Sequence, residues 1–485
     1  MHASGELEGV LAALGSVLTR NDAEAALRAD LLHVLTTARR TGGHTRRVER
    51  WVTVDASHRR HDVALLDQGR EPVPEALARA ISGCGGVLHR LDRLDGTLIG
   101  RASLLRGLGS GARFVMLHTD QSEVIPLIAF ADADDRPPVL VMNHSDHLFW
   151  LGVGIADLLI CFRPGGADLA VRRRGVLPER LHVLPTPLPD GAIQKVERAE
   201  ARRALGLGPE EVLLLTVAVG FKYATEPGSS MPRAIEPVLD HHRQAHLIAI
   251  GPDWPPGHDR IHSLGRRSDV RRYFAAADIY LDSMPSTSFT SLLEAGNYGL
   301  PLVRLTSVTG AAASIFEPSD PGLDRVLIRA DDLDAWRTEV EGLITDADAR
   351  AELGAMTQAA VASVHCGEPW LRELDDLYRR ADAVQPTDHQ APATTPPVDE
   401  VDRLIVMHHR ASGLDTEFIM TVPSHIRSLS ARKRAAAGLA TLRAVRSDAR
   451  RFTRRVLRPV GGPILSLGRR LAGSMTAIAR RSATP

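Results

Sequence analysis

The chain has 485 residues, length for two or three domains at about 150 residues each. It is 44% hydrophobic and 24% charged, which excludes a disordered or fibrous chain and fits an ordinary globular one. The formal net charge of zero hides an asymmetry: residues 401–485 hold 17 Lys and Arg against 4 Asp and Glu, so a mildly acidic body carries a strongly basic tail.

Residues 1–29 read as an N-terminal helix with Leu7, Val10, Leu11, Leu14 and Leu18 at helical spacing. Met1 to Arg20 has no basic segment followed by an apolar core, so no signal peptide is expected. No run of about 18 apolar residues occurs, so no spanning helix is expected either, and the expected location is cytoplasmic. The three cysteines, Cys84, Cys161 and Cys366, are odd in number and widely spaced. They fit free thiols in a reducing compartment rather than a disulfide framework or a zinc cluster.

From 30 to 189, short apolar runs alternate with helical patterns. Strands are expected at 31–36, 62–66, 86–89, 114–117, 139–142, 158–161 and 182–184. This alternation predicts a parallel sheet with helices on both faces, whose ligands bind at the strands' carboxyl ends. Three clusters fall at such ends. Gly42, Gly43 and His44 follow the first strand, where a double glycine permits close backbone approach to a ligand. His118 and Asp120 follow the fourth strand, and His144 and Asp146 the fifth. An imidazole at either place can serve as a general base oriented by its carboxylate. A helix-capping network through Ser145 or Asp146 is the plainer reading of the second cluster. His144, Asp146 and His147 stand too close together for a comfortable metal site, and no metal is expected. Asp132, Asp134 and Asp135 read as a solvated surface loop.

Pro185-Thr186-Pro187-Leu188-Pro189 breaks the pattern, which restarts over 190–383 with strands expected at 212–217, 246–250, 261–264, 279–281, 302–305 and 326–328. Gly220 and Lys222 end the first of these, a glycine for close approach and a cation for an anionic ligand. Lys222 is one of three lysines in a chain that otherwise uses arginine. In Ala277 to Pro301 a strand ends near Asp282, a Ser/Thr loop follows, and a helix begins near Thr290. The unsatisfied amides of that helix start, with Ser288, Thr290 and Ser291, suit a diphosphate. Glu294, one turn in, can accept ribose hydroxyls, where the plain alternative is a capped helix with a solvated carboxylate.

The run Ala-Ala-Asp-Ile-Tyr-Leu-Asp, a Ser/Thr loop, then Leu-Glu-Ala-Gly-x-x-Gly-Leu-Pro resembles the nucleotide-sugar domain of GT-B glycosyltransferases. The resemblance runs from Val212 to about Leu305 and includes Ile250-Gly251-Pro252 and Leu264-Gly265-Arg266. It implies an α/β fold of two doubly wound Rossmann-like domains facing a cleft. The donor would be a UDP- or GDP-sugar, with no cofactor and no essential metal. Arg266 would lie beside the base, the loop and helix start would hold the diphosphate, and Glu294 the ribose. Residues 30–189 would then be the acceptor domain, with Gly42, Gly43 and His44 in its acceptor-side loop. Many retaining members place a second Glu eight residues before the helix Glu; Ser286 stands there, and the loop is nearer that of inverting, protein-modifying relatives. The acceptor could be a glycan, a lipid-linked group or a protein. A sugar-nucleotide 2-epimerase and a non-catalytic nucleotide- or glycan-binding module are the alternatives.

Residues 384–400 are Pro- and Thr-rich and read as a linker. Within the basic tail of 401–485, residues 435–481 repeat apolar positions every three or four residues with arginines on the other faces. That pattern suits an anionic membrane surface, with a disordered tail as the alternative. The near absence of stacking aromatics argues against a nucleic-acid partner.

Overall fold

The computed structural model describes residues 3–16, 18, 29–40, 43–146, 148–189, 196–223, 230–267, 269–284, 287–306 and 321–386. The expectations for Gly42, His147, Ser286, the linker from 387 onward and the basic tail lie outside the described residues.

The first half holds a seven-stranded parallel sheet: β1 (Ala29–Leu35), β2 (His61–Leu65), β3 (Leu88–Arg90), β4 (Ala112–Leu117), β5 (Val139–Met142), β6 (Leu158–Cys161) and β7 (Leu181–Val183). Its order is β3-β2-β1-β4-β5-β6-β7. The second half holds a six-stranded parallel sheet, β8 (Val212–Val217), β9 (Ala245–Ile250), β10 (Ile261–Ser263), β11 (Ile279–Leu281), β12 (Leu302–Leu305) and β13 (Leu327–Ala330), in the order β10-β9-β8-β11-β12-β13. Every expected strand is present, with ends displaced by at most two residues. β5, β6 and β11 are continuous apolar runs whose every side chain is buried, because helices cover both faces of the sheets. In each sheet the strand order reverses once, between β1 and β4 and between β8 and β11. These are the switch points at whose carboxyl ends doubly wound sheets open a crevice.

Two features depart from the sequence reading. The N-terminal helix, Gly5–Gly15, leaves Leu7, Val10 and Leu14 exposed and buries Glu8 and Gly15. The Glu8 carboxylate accepts the amides of Gly152, Val153 and Gly154 at 2.9, 3.2 and 2.6 Å, which satisfies a buried charge that apolar periodicity cannot reveal. The helix Gly367–Ala383, expected in the second half, packs on the first sheet instead. Its Trp370, Leu374, Leu377, Tyr378 and Ala381 share a core with Leu31, Phe114, Leu140 and Ile160. The proline-rich break is correspondingly a buried strap. Trp370 Nε1 donates to the Pro185 carbonyl at 2.8 Å, and Leu188 N donates to the His365 carbonyl at 2.8 Å.

Candidate active site

At the second switch point, the turn Gly220–Tyr223 carries Lys222 past the end of β8. Its Nζ donates to the Thr287 carbonyl at 2.7 Å. Burial pushes the ammonium down to about 8; nearby Asp282 opposes this and Arg163 adds to it. Asp282, just past β11, organises the Ser/Thr loop. It accepts from Ser283 N at 2.8 Å, Ser288 N at 3.0 Å, Thr287 Oγ1 at 2.6 Å and Arg304 Nε at 2.9 Å. The helix Phe289–Asn297 then starts with Ser288 as its cap residue, and Ser288 Oγ bonds Ser291 Oγ at 3.2 Å. Thr290 lies half-buried in the first turn.

Gly220 has room for a side chain, since an added Cβ would sit 3.6 Å from the Gly251 carbonyl. The glycine its neighbours demand is Gly251, at φ +111, where a Cβ would meet the Ala218 carbonyl at 1.7 Å. Its amide donates to the Gly265 carbonyl at 2.9 Å, next to the exposed Arg266.

Glu294 is not solvated. Arg46 Nη1, from the helix Gly43–Asp55 of the first half, donates to its two oxygens at 2.9 and 3.3 Å, and Arg50 donates to Oε1. Burial raises the Glu294 carboxyl, but Arg50 and Arg46 outweigh it and hold the group below its ordinary value. The intended ribose acceptor is thus an ion-pair partner across the two halves. Arg47, on the same helix, is buried, donates to Thr186 and lies 3.9 Å over the Phe162 ring. Its Nη1 is buried with no hydrogen-bond partner among the described residues. Burial and Arg50 push its guanidinium down to about 9.

The first switch point is built from imidazoles. His118, at the end of β4, is 1% exposed and does not meet Asp120. Its Nε2 lies 3.1 Å from His33 Nδ1, and its Nδ1 lies 3.2 Å from His144 Nε2. The rings of His144 and His44 stack at 3.7 Å. Asp120 faces His44 at 4.0 Å and Arg39 at 3.7 Å, while Asp146 binds Arg163 at 2.8 Å rather than His144. Both expected imidazole–carboxylate pairs are therefore repartnered, because an arginine or a neighbouring imidazole lies nearer than the residue two positions along. His44, His144, Asp120, Gln121 and Ser145 line a shallow open recess. Gly43 begins the helix that carries His44, with open space where a Cβ would stand.

Burial holds His118 and His144 well below the ordinary imidazole range; Arg47 and His44 reinforce it at both, and His144 also feels His118. His44 is lowered as well, by burial, with Asp120 opposing. Near neutral pH these rings are uncharged. Among the described residues, no three His, Cys, Asp or Glu converge as a metal site, and no helix is long and apolar enough to cross a membrane. Sequence reading missed His33, Asp282, Arg304 and the Arg46-Arg47-Arg50 face. The arginines left a signal, three cations in the first turns of a helix directly after a double glycine.

No protein-family model and no curated protein matches the chain. Among solved structures it is similar to HepE of Anabaena in complex with UDP and glucose, at 13% identity over 74% of this chain and 100% of HepE, with a TM-score of 0.52. A second HepE structure, with UDP, gives 14% identity, 73% and 100% coverage and the same TM-score of 0.52. WaaG, a glycosyltransferase involved in lipopolysaccharide biosynthesis, is 16% identical over 73% of this chain and 99% of WaaG, with a TM-score of 0.49. With two doubly wound parallel sheets and this likeness along the whole of HepE, the chain has the GT-B glycosyltransferase fold.

Proposed function

We propose that the chain transfers a sugar from a nucleotide-diphosphate donor to an acceptor hydroxyl. One arrangement carries the reading: buried imidazoles end one switch point, Lys222 and a helix start end the other, and Arg46 and Arg50 of the first half are bonded to Glu294 of the second. Glycosyl transfer develops positive charge on the sugar ring and negative charge on the departing diphosphate. Lys222, the first-turn amides of Phe289–Asn297 and the hydroxyls of Ser288, Thr290 and Ser291 suit that leaving group. Gly220 and Arg266 flank the same wall, and Glu294 would take ribose hydroxyls alongside its arginines.

The base is His144. His118, the first candidate from sequence, has both ring nitrogens engaged by other imidazoles and cannot reach an acceptor. His144 has one nitrogen engaged and lines the recess with His44 and Asp120. Its other ring nitrogen can take a proton, although burial and its neighbours make it a weaker base than a free imidazole. UDP-sugars are the first donors to test, since the similar HepE structures hold UDP.

The test is release of nucleoside diphosphate from a panel of UDP- and GDP-sugars, with and without glycan, lipid-linked and peptide acceptors. Acceptor-dependent release is expected. Nucleotide binding with no turnover of any donor would leave a binding module, interconversion of free donor would leave an epimerase, and no nucleotide binding would end the reading.

A further inference from the structure

His144 is the outer end of a file of imidazoles that runs under the first sheet. His61 Nδ1 lies 3.0 Å from His33 Nε2, His33 Nδ1 lies 3.1 Å from His118 Nε2, and His118 Nδ1 lies 3.2 Å from His144 Nε2. The four rings come from β2, β1 and the ends of β4 and β5, neighbours in the sheet. Trp51 closes the file edge-on, 5.4 Å from His33 and 6.1 Å from His118. At the inner end His61 Nε2 lies 3.1 Å from Asp55 Oδ2, an ion-pair distance whose direction is off the line of an ideal hydrogen bond. His33, His61 and Asp55 are each 0% exposed.

A neutral imidazole carries one proton, so each contact in the file needs one N–H and one lone pair. With all four rings neutral, the repeating contact of one ring's Nδ1 with the next ring's Nε2 allows only two orders. Either every ring is protonated on Nε2, or every ring is protonated on Nδ1. The second order would aim the His61 Nε2 lone pair at the Asp55 carboxylate. Asp55 already accepts from Arg59 at 2.9 Å and from the Tyr378 hydroxyl at 3.0 Å, which hold it as an acceptor.

We infer that Asp55, His61 and His33 are positioning residues that fix the tautomer of His118 and His144, leaving His144 with its proton on Nε2 and its Nδ1 lone pair free for the recess. The carboxylate chooses between two orders, and three imidazoles carry that choice across four strands. The catalytic consequence rests on His144 being the base; the tautomer order does not.

Long-range ¹H–¹⁵N correlation spectra of the full chain labelled with ¹⁵N-histidine, recorded without substrate, report which nitrogen of each ring is protonated. His33, His61, His118 and His144, assigned by single His→Gln variants, should all show Nε2–H; a Nδ1–H ring at any of the four overturns the inference. In His61→Phe, His118 and His144 should divide between tautomers; retention of pure Nε2–H at both overturns it too. If His61→Phe does not fold, the wild-type spectrum still decides. An even division should lower kcat about twofold with KM unchanged, as only half the molecules carry a competent base. Nε2–H rings in a protein without turnover would uphold the inference and remove only the proposed function.

Discussion

The two switch points solve the same topological problem with opposite materials. The first ends in neutral rings packed against tryptophan, and its polarity is carried by tautomers. The second ends in full charges, with Asp282 gathering two loop amides, a threonine hydroxyl and Arg304, and Lys222 latched to the loop it helps shape. A leaving diphosphate needs positive charge ready in place, whereas at the first switch point a cation beside the rings, Arg47, lowers His118 and His144 further. Under the proposed function, proton handling falls to one wall and charge handling to the other.

The largest expected effect tests that division directly. His144→Ala should lower turnover by about 10²- to 10⁴-fold, the usual worth of a general base. It should leave nucleotide affinity unchanged by calorimetry; a matching loss of affinity would mean the walls are not separate in function. Next comes Asp282→Ala, which removes the buried carboxylate that Arg304 pairs with and that gathers the loop. Breaking a buried ion pair costs about 3–5 kcal/mol, so chemical denaturation should show a large loss of stability and nucleotide binding should vanish with it.

Acid should weaken the first half in particular. Burial sets the folded-state values of His33 and His118 well below the ordinary one. The unfolded chain then binds more protons below about pH 6.5, and each such ring removes about 1.4 kcal/mol per pH unit of further acidification until its folded value is reached. The midpoint of thermal unfolding should therefore fall between pH 6.5 and 5, above the range where carboxylates titrate. A flat midpoint there would show that the rings titrate normally.

The smallest effect belongs to Lys222. With its ammonium pushed down to about 8, its charge is lost as pH rises through that value. Nucleotide affinity should weaken several-fold between pH 7 and 9 in the wild type. In Lys222→Met it should be lower throughout and lack that pH dependence.

The sheets were legible in the sequence because buried parallel strands are unbroken apolar runs, and both switch-point clusters were legible because polar residues interrupt those runs at their carboxyl ends. Pairing was not legible. His118 and Asp120 are two residues apart in sequence, yet the side chain that meets His118 comes from a strand 85 residues earlier. His33 sits inside an apolar strand, where one polar residue reads as an exception rather than as a link. The fate of Glu294 depended on arginines 244 and 248 residues away, which no local pattern encodes.

The helix Gly367–Ala383 has a consequence for how the protein is made. Trp370 and Leu374 are fully buried against residues of the first sheet, and burial of such side chains stabilises by about 1.5–3 kcal/mol each. The first 189 residues thus leave the ribosome with part of one face of their sheet, over Phe114, Leu140 and Ile160, uncovered. They cannot complete their core until nearly two hundred further residues have been synthesised. Maturation of the amino-terminal half has to wait for the end of the other half, and a nascent chain stalled before residue 367 would present an open apolar face to chaperones.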